Sequence, residues 1–256
     1  MKYNQIIVEE LGQTRKIIMN RPEKRNSLDE EMIQELTGVF KLYSNDKNVS
    51  SIILTGAGGN VCSGLFLDYL QKISEFDILQ NKNDSGKFKN LLLSIYECSK
   101  PVVAMIDGYA LAGGCGIASA CDLIVVSDKA QLGYTEVKIG FIPAIVMIFL
   151  LKRVTEAPAK DLLMTSKFIS GEEAFRIGFA NYLTAQTELE NTVMKICDDL
   201  NKLPLSSLSL TKEMFRNISS MSFEALLEYA VGMNAITRLT DECKNGVRNF
   251  LTKIKK

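Results

Sequence analysis

With 256 residues, 46% of them hydrophobic and 23% charged, the chain is long enough to bury a sizeable core as one large domain or a domain with an appendage. Its 30 basic and 30 acidic residues balance, which argues against nucleic acid or an anionic membrane surface as a partner attracted by a global field. The sequence has neither the apolar stretch of a signal peptide nor the roughly 18 uncharged apolar residues of a membrane span, so we expect a cytoplasmic protein.

The sequence contains no histidine. This excludes Ser-His-Asp and Cys-His nucleophiles, histidine zinc sites and an imidazole general base. The six cysteines form no C-x-x-C pair and lie mostly in apolar runs, so we expect reduced core thiols and no metal site. Proton chemistry, if the chain is an enzyme, must therefore come from Asp, Glu, Lys, Tyr or Cys.

The first predicted elements are a hairpin, a helix and a strand. Residues 6–8 and 15–20 are apolar runs on either side of a turn, which indicates two short antiparallel strands. Apolar residues recur at helical spacing over 30–43, and 51–55 is a short apolar strand followed by glycines. The polar segment 72–89 is predicted to be a mobile surface loop.

The middle of the chain alternates strands with helices. Strands are predicted over 101–108, 123–126 and 131–133, and helices over 114–120 and 144–152. Such alternation is typical of an α/β domain with parallel strands.

The pattern after residue 159 is almost wholly helical. The predicted helices cover 160–164, 171–177, 188–200, 205–214, 223–238 and 241–253. We therefore expect an N-terminal α/β core followed by a C-terminal helical region.

Three glycine-containing turns follow apolar runs, at 56–60, 62–65 and 112–116. None has the spacing of a G-x-G-x-x-G fingerprint or a P-loop, so a nucleotide site is not indicated. Backbone N–H groups at a helix N-terminus can hold an anionic oxygen, and Gly113 and Gly114 are placed for that. A tight turn that needs glycine only for packing explains the same residues equally well.

Five segments, read together and in order, carry a resemblance that no single one carries. They are RPEKRNSL at 21–28, VCSGLFLDYL at 61–70, IDGYALAGGCGIASACDLIV at 106–125, LGYTEVKIGFIPA at 132–144 and SGEEAFRIGFANYL at 170–183. They resemble the signature segments of the crotonase superfamily of enoyl-CoA hydratases and isomerases. The resemblance implies the ClpP-like crotonase fold, with an α/β core of repeated ββα units over 1–195 and a C-terminal helical oligomerisation region over 196–256.

The resemblance also implies a set of catalytic residues. The backbone N–H groups of Leu65 and Gly113 would hold the thioester oxygen, and Glu136 would be the catalytic carboxylate. The family's hydratases commonly use a second glutamate, whose position falls on Gly116 here. The standard mechanism with two carboxylates is therefore in doubt, although one carboxylate with a raised pKa can in principle relay both protons.

Four further residues resemble the family's CoA-binding positions. Lys24 and Arg25 correspond to basic residues near the CoA phosphates, a pairing that suits charge-assisted hydrogen bonds. A solvated helix start explains them equally well. Ser63 and Leu67, on either side of the expected oxyanion residue, complete the expected binding set.

Three functions are compatible with this pattern. The first is reversible hydration of a 2-enoyl-CoA. The second is Δ3,Δ2-enoyl-CoA isomerisation, which needs one carboxylate, and the third is a catalytically silent acyl-CoA binding protein. Phe66, where many members carry Asp, would make that wall of the site more apolar. The segment VKIGFIPAIVMIF at 137–149, together with Gly116, is similar to a subgroup that includes 3-methylglutaconyl-CoA hydratases and the 3-hydroxy-3-methylglutaryl dehydratases of polyketide β-branching, which suggests a branched or carboxylated acyl group.

The expected partner is an acyl-CoA thioester, so coenzyme A enters as part of the substrate and no other cofactor is expected. The C-terminal helices resemble those that build trimers and dimers of trimers in the family. We therefore expect a homotrimer or homohexamer.

Overall fold

The computed structural model describes residues 3–218 and 220–254. Its first element is the predicted hairpin, which is confirmed. Strand β1 (Ile6–Leu11) pairs antiparallel with β2 (Thr14–Met19) across a turn of two residues. Gly12 takes a φ of +61° in this turn, a conformation that costs glycine little and other residues more.

The main sheet has six strands in the order β1-β2-β3-β4-β6-β9. Its remaining members are β3 (Ser51–Gly56), β4 (Val102–Ile106), β6 (Leu123–Ser127) and β9 (Tyr182–Thr184). Every pairing from β2 onward is parallel, as predicted. Helices cover both faces of such a sheet, which explains why β3 and β4 are runs of buried apolar residues rather than alternating patterns.

A second, smaller sheet stands beside the first. It contains β5 (Tyr109–Leu111), β7 (Gln131–Gly133) and β8 (Phe168–Ser170), with β5 parallel to β7 and β7 antiparallel to β8. The prediction that the chain after residue 159 is almost wholly helical is therefore wrong at β8 and β9. Three residues are too few to show an alternating pattern, so only pairing with a neighbouring strand defines these elements.

Helices pack on the main sheet from both sides. On the side that faces the small sheet, a single core cluster includes buried residues of α1 (Glu30–Asn45), α4 (Gly113–Ala120), α5 (Ala144–Leu150), α6 (Glu156–Thr165) and α7 (Gly171–Arg176). The other side is covered by α8 (Leu189–Asn201), which packs on buried residues of β3, β4 and β6. The boundary between the predicted regions 1–195 and 196–256 lies inside α8.

The predicted loop over 72–89 is helical. Helix α2 (Leu67–Ser74) is followed by α3 (Ile78–Tyr96), so this prediction is wrong. Asp77 and Gln80 form a reciprocal capping box that satisfies the first N–H groups of α3, and the far end of the helix buries apolar residues. Tertiary packing of that end stabilises a helix whose first half has poor helical propensity.

The C-terminal region is helical, as predicted, with α9 (Leu205–Asn217), α10 (Phe223–Leu239) and α11 (Asp241–Ile254) after α8. Lys212 of α9 anchors this region to the core, because its ammonium group donates to the Asp122 carboxylate at 2.6 Å and to the Lys100 carbonyl at 2.9 Å. Within the described residues, none of the helices combines the length and apolar character needed to cross a membrane.

Candidate active site

Leu65 and Gly113 occupy corresponding positions after two adjacent parallel segments. Cys62 pairs in parallel with Ala110, and the Leu111 N–H donates to the Cys62 carbonyl at 2.9 Å. Leu65 and Gly113 each lie three residues beyond a member of this pair. Because neighbouring strands are about 4.8 Å apart, the two backbones are side by side where they leave the sheet.

Among the residues that the structure describes, the N–H groups of Leu65 and Gly113 have no hydrogen-bond acceptor. The residues flanking Leu65 pair with one neighbour: the Leu28 N–H donates to the Gly64 carbonyl at 2.7 Å, and the Phe66 N–H donates to the Leu28 carbonyl at 2.9 Å. This alternation turns the Leu65 N–H to the opposite side, while Gly113 is the first residue of α4 and has no partner within the helix. Over residues 3–218 and 220–254, neither N–H donates a hydrogen bond.

The two segments approach each other more closely than side chains would allow. A Cβ at Gly114 would lie 2.5 Å from the Cys62 carbonyl oxygen, so glycine is required there. Ala112, just before α4, has a φ of 49° and a ψ of −116°, and its N–H donates to the Gly133 carbonyl at 2.7 Å. A non-glycine residue in this conformation stores strain that the surrounding contacts must hold.

The two interpretations of the glycine turn thus belong to different residues. Gly114 meets the packing requirement, whereas Gly113 presents an unpaired N–H at the positive end of α4.

Arg153 caps the other end of α4. Its guanidinium donates to the Cys121 carbonyl and, at 3.2 Å, to the Ser119 carbonyl, and it also reaches Asn181 at 3.2 Å. A cation at the C-terminus of a helix stabilises the last carbonyl groups and the dipole. Arg153 therefore stabilises the C-terminal end of α4, the helix that begins at Gly113.

Glu136 lies on the third adjacent segment. It follows β7, whose Leu132 pairs with Ala110 of β5, so the chain leaves the small sheet at the same edge as Gly113. The residue is half-buried, and its Oε2 atom is fully buried without a hydrogen-bond partner among the residues that the structure describes. Burial raises the pKa of this carboxyl above its ordinary value, against the opposing effect of the Thr135 and Glu136 backbone N–H groups. Such a group can accept and release protons closer to neutral pH.

Gly116 is closed to any larger side chain. A Cβ at this position would lie 2.3 Å from Cγ1 of Val146 and 3.6 Å from Cζ of Phe88. Val146 is itself buried in α5, so it cannot easily move aside. The position at which the family's hydratases commonly carry a second glutamate is therefore filled by apolar atoms from other helices.

The two segments that carry the four predicted CoA-binding residues contact each other. The Lys24 ammonium is 4.3 Å from the centre of the Phe66 ring, next to Leu65 in the chain. The Ser63 N–H donates to the Arg25 carbonyl at 3.1 Å, which joins the two predicted segments through their backbones. Lys24 and Arg25 are exposed and thus available to a phosphate, and Leu67 is 74% exposed.

Sequence reasoning missed four residues that shape this site. Arg21 stacks on Phe66, with its guanidinium carbon 5.1 Å from the ring centre, and Arg153, Phe88 and Val146 act on α4. Each lies far along the chain from the groups it contacts, and no local pattern in the sequence reveals such a contact.

The thiols near the site are structural in character. Cys62 and Cys115 are buried, and burial raises the pKa of the Cys62 thiol to about 12. No cluster of three or more potential metal ligands occurs in the described ranges 3–218 and 220–254.

A layered sheet with a small second sheet at its edge, two free N–H groups beside a buried carboxyl, and a C-terminal set of helices define a protein of the crotonase fold class. An enoyl-CoA hydratase structure from Mycobacterium smegmatis superposes on it with a TM-score of 0.93, over 98% of this chain and 97% of that chain. At 22% sequence identity, this likeness establishes the fold alone.

The chain belongs to the enoyl-CoA hydratase/isomerase family, whose model matches residues 12–256. A Thermus thermophilus relative, provisionally named an enoyl-CoA hydratase, is 35% identical over 95% of this chain and 96% of its own length. The Short-chain-enoyl-CoA hydratase of Clostridium acetobutylicum is 30% identical over 100% of this chain and 97% of its own. An enoyl-CoA hydratase structure from Bacillus anthracis, 25% identical, has a TM-score of 0.91 over 98% of this chain and 97% of that chain.

Proposed function

We propose that the protein is an enoyl-CoA hydratase that adds water reversibly across the C2=C3 double bond of a 2-enoyl-CoA. The observation that carries this proposal is the pair of free N–H groups at Leu65 and Gly113, beside the buried carboxyl of Glu136. The names of its relatives support the same reaction.

The two N–H groups act on the thioester oxygen. As the oxygen of water bonds to C3, the π electrons of C2=C3 shift toward the carbonyl and give an enolate whose negative charge is on that oxygen. Donors aimed at this oxygen stabilise the enolate more than the neutral thioester, and losing one such donor typically costs about 3 kcal/mol. The positive end of α4 adds to the effect at Gly113.

Glu136 moves both protons in this proposal. As a carboxylate it accepts a proton from the attacking water, and it then delivers a proton to C2, which restores the carbonyl. A carboxylate at position 116 cannot share the work, because that space is filled by Val146. A raised pKa suits a group that must act first as a base and then as an acid.

The CoA part would lie along the edge formed by Lys24, Arg25, Ser63 and Leu67. The exposed cations Lys24 and Arg25 suit its phosphates, because ionised donors make short, strong hydrogen bonds to phosphate oxygens. The exposed Leu67 side chain offers apolar contact beside them.

The assembly we propose is a homotrimer, or a hexamer made from two trimers. Its support is the apolar surface of the C-terminal helices, where Phe223 is 71%, Leu239 72% and Phe250 64% exposed. An apolar surface of this kind is normally covered by a partner.

The acyl group we propose is branched at C3, as in 3-methylglutaconyl-CoA. Support comes from the apolar character of two positions where many family members carry acidic side chains, Phe66 and Gly116. Apolar surroundings accommodate a methyl branch better than surroundings that contain a carboxylate side chain, which would lose its hydration against the methyl group.

The test is ultraviolet absorbance of the enoyl thioester on mixing the protein with crotonyl-CoA, 3-methylglutaconyl-CoA and longer 2-enoyl-CoAs. We expect absorbance to fall with the wild type and the fall to slow by at least about 1,000-fold with Glu136→Gln, which keeps the shape and removes the base. Glu172→Gln, an exposed glutamate in α7, is the matched control and should be fully active. Absence of turnover across the whole set would rule out hydration.

The filled position at Gly116 also favours a second candidate, Δ3,Δ2-enoyl-CoA isomerisation, which needs one carboxylate. Product analysis in isotopically labelled water separates the two, because isomerisation incorporates no solvent oxygen. A third outcome, calorimetric binding of CoA thioesters with no rate that depends on Glu136, would identify a silent acyl-CoA binding protein.

A further inference from the structure

Three apolar side chains form a corner around the first turn of α4. A Cβ at Gly113 would lie 3.1 Å from Cδ1 of Leu28 and 3.4 Å from Cζ of Phe88. At Gly116, the nearest atoms would be Cγ1 of Val146 and the same Phe88 Cζ, at 2.3 and 3.6 Å. One edge of the Phe88 ring therefore touches both positions, and we call Leu28, Phe88 and Val146 the apolar corner.

The corner is assembled from three separate elements. Leu28 precedes α1, Phe88 belongs to α3 and Val146 to α5. Leu28 and Val146 are buried, at 0% and 3% exposure, whereas Phe88 is half-buried and packs against the core with part of its surface open. Phe88 can therefore contact a ligand directly. Val146 lies in the core and limits how far the apolar side chains can move to make room for a ligand.

The corner adjoins the free N–H of Gly113. An acyl carbonyl that accepts this hydrogen bond has its oxygen about 2.9 Å from the nitrogen, which places the next carbon atoms of the acyl group within a few ångströms of α4. The side of the acyl group toward Gly116 then meets Phe88 and Val146, which offer no hydrogen-bonding group. A polar substituent on that side would lose its hydration without gaining a partner.

We propose that Phe88 and Val146 determine the acyl specificity, admitting hydrogen or methyl on the corner side of C3 and excluding longer or polar substituents. This inference rests on the proposed function, because it assumes that the acyl carbonyl is held at Gly113. It extends that function by assigning the limit on acyl size to two residues that do not take part in proton transfer.

The test compares crotonyl-CoA with the E and Z isomers of 2-hexenoyl-CoA in Val146→Ala and Phe88→Leu variants, because the two isomers carry the propyl group on opposite sides of C3. Each variant removes carbon atoms from the corner. For the isomer whose propyl group faces the corner, we expect the ratio of its kcat/KM to that of crotonyl-CoA to rise by about 10-fold, the low end of what methylene groups contribute in an apolar pocket. Val193→Ala is the control, because Val193 is equally buried but packs on the other face of the sheet with Ile53 and Val103. It should leave the ratio unchanged.

Calorimetric binding of butyryl-CoA and hexanoyl-CoA separates this inference from the proposed function. If the wild type turns over no enoyl-CoA, hydration fails, but a binding ratio that shifts toward hexanoyl-CoA in both variants still supports the corner as the size limit. If both variants are folded and active and neither ratio moves, Phe88 and Val146 do not set specificity and hydration stands. If Val146→Ala fails to fold, the ratios measured with Phe88→Leu decide the question alone, because the Phe88 ring is only half-buried and its replacement disturbs the core less.

Discussion

The segments that follow β5 and β7 contribute to the site in different ways, and we call them the first and the second exit. After β5, the segment 112–116 offers backbone groups, and two of its three glycines, Gly114 and Gly116, lie close against Cys62 and Val146. After β7, the segment 134–136 offers one side chain, Glu136, which is half-buried. The first exit acts through backbone N–H groups, and its close packing leaves no room for Cβ atoms at positions 114 and 116. The second exit acts through a side chain and requires the carboxyl group of Glu136.

This difference predicts contrasting responses to substitution. At the first exit, even one added carbon must displace backbone or a buried side chain, so stability and activity should fall together. At the second exit, an isosteric change should remove activity and leave the fold intact.

Gly114→Ala should have the largest effect. Its Cβ would lie 2.5 Å from the Cys62 carbonyl oxygen, so the segments that carry Leu65 and Gly113 must move apart. We expect a loss of about 3 kcal/mol in the free energy of unfolding by denaturant titration, and at least about a 100-fold loss of activity from misplaced donors. Gly38→Ala is the control, because a Cβ there meets nothing within 4 Å, and it should stabilise α1 by about 1 kcal/mol. Equal behaviour of the two variants would contradict the close approach.

Gly116→Ala should cost less, about 2 kcal/mol, because the obstacle is the side chain of Val146 rather than backbone. A double-mutant cycle with Val146→Ala measures the clash directly. The alanine at 116 should be better tolerated when Val146 is shortened, giving a favourable coupling of about 1 kcal/mol. Additive effects would show that Val146 does not occupy the space.

Arg153→Lys should cost about 1.5 kcal/mol, because an ammonium cannot reproduce the fork of hydrogen bonds to the Ser119 and Cys121 carbonyls. Activity should fall as well if Arg153 positions α4. The comparison variant is Arg176→Lys, since Arg176 pairs with Glu173 on the surface and its replacement should leave the denaturation midpoint unchanged. If Arg153→Lys reacts at the wild-type rate, Arg153 contributes to stability and does not position α4 for catalysis.

Glu136→Gln should change stability least, and in the favourable direction. Burial raises the pKa of this carboxyl in the folded protein above its ordinary 4.5, so between the two values the folded state binds more protons than the unfolded state. The stability of the wild type should therefore fall as the pH rises through this window, relative to the glutamine variant, which does not titrate. Denaturant titrations of both proteins at acidic and neutral pH check this. A gap between them that stays constant with pH would contradict the buried carboxyl.

Much of the fold could be read from local sequence. Apolar runs of three to five residues define β3, β4 and β6, and helical spacing defines α1, because burial on one or both faces leaves a pattern in the neighbouring residues themselves. The order of the five segments identified the family. It also led to Leu65, Gly113 and Glu136, since each lies at a fixed offset within a segment.

Only the tertiary structure decided the rest. Strands β8 and β9 exist through pairing with partners elsewhere in the chain, and the first half of α3 is helical because its far end packs on the core. The sequence by itself revealed that position 116 lacks a carboxylate. The structure identified the side chains of Val146 and Phe88 as the groups that fill the space where such a side chain would lie. Contacts between residues about 30 positions apart depend on how helices pack, and local periodicity carries no record of them.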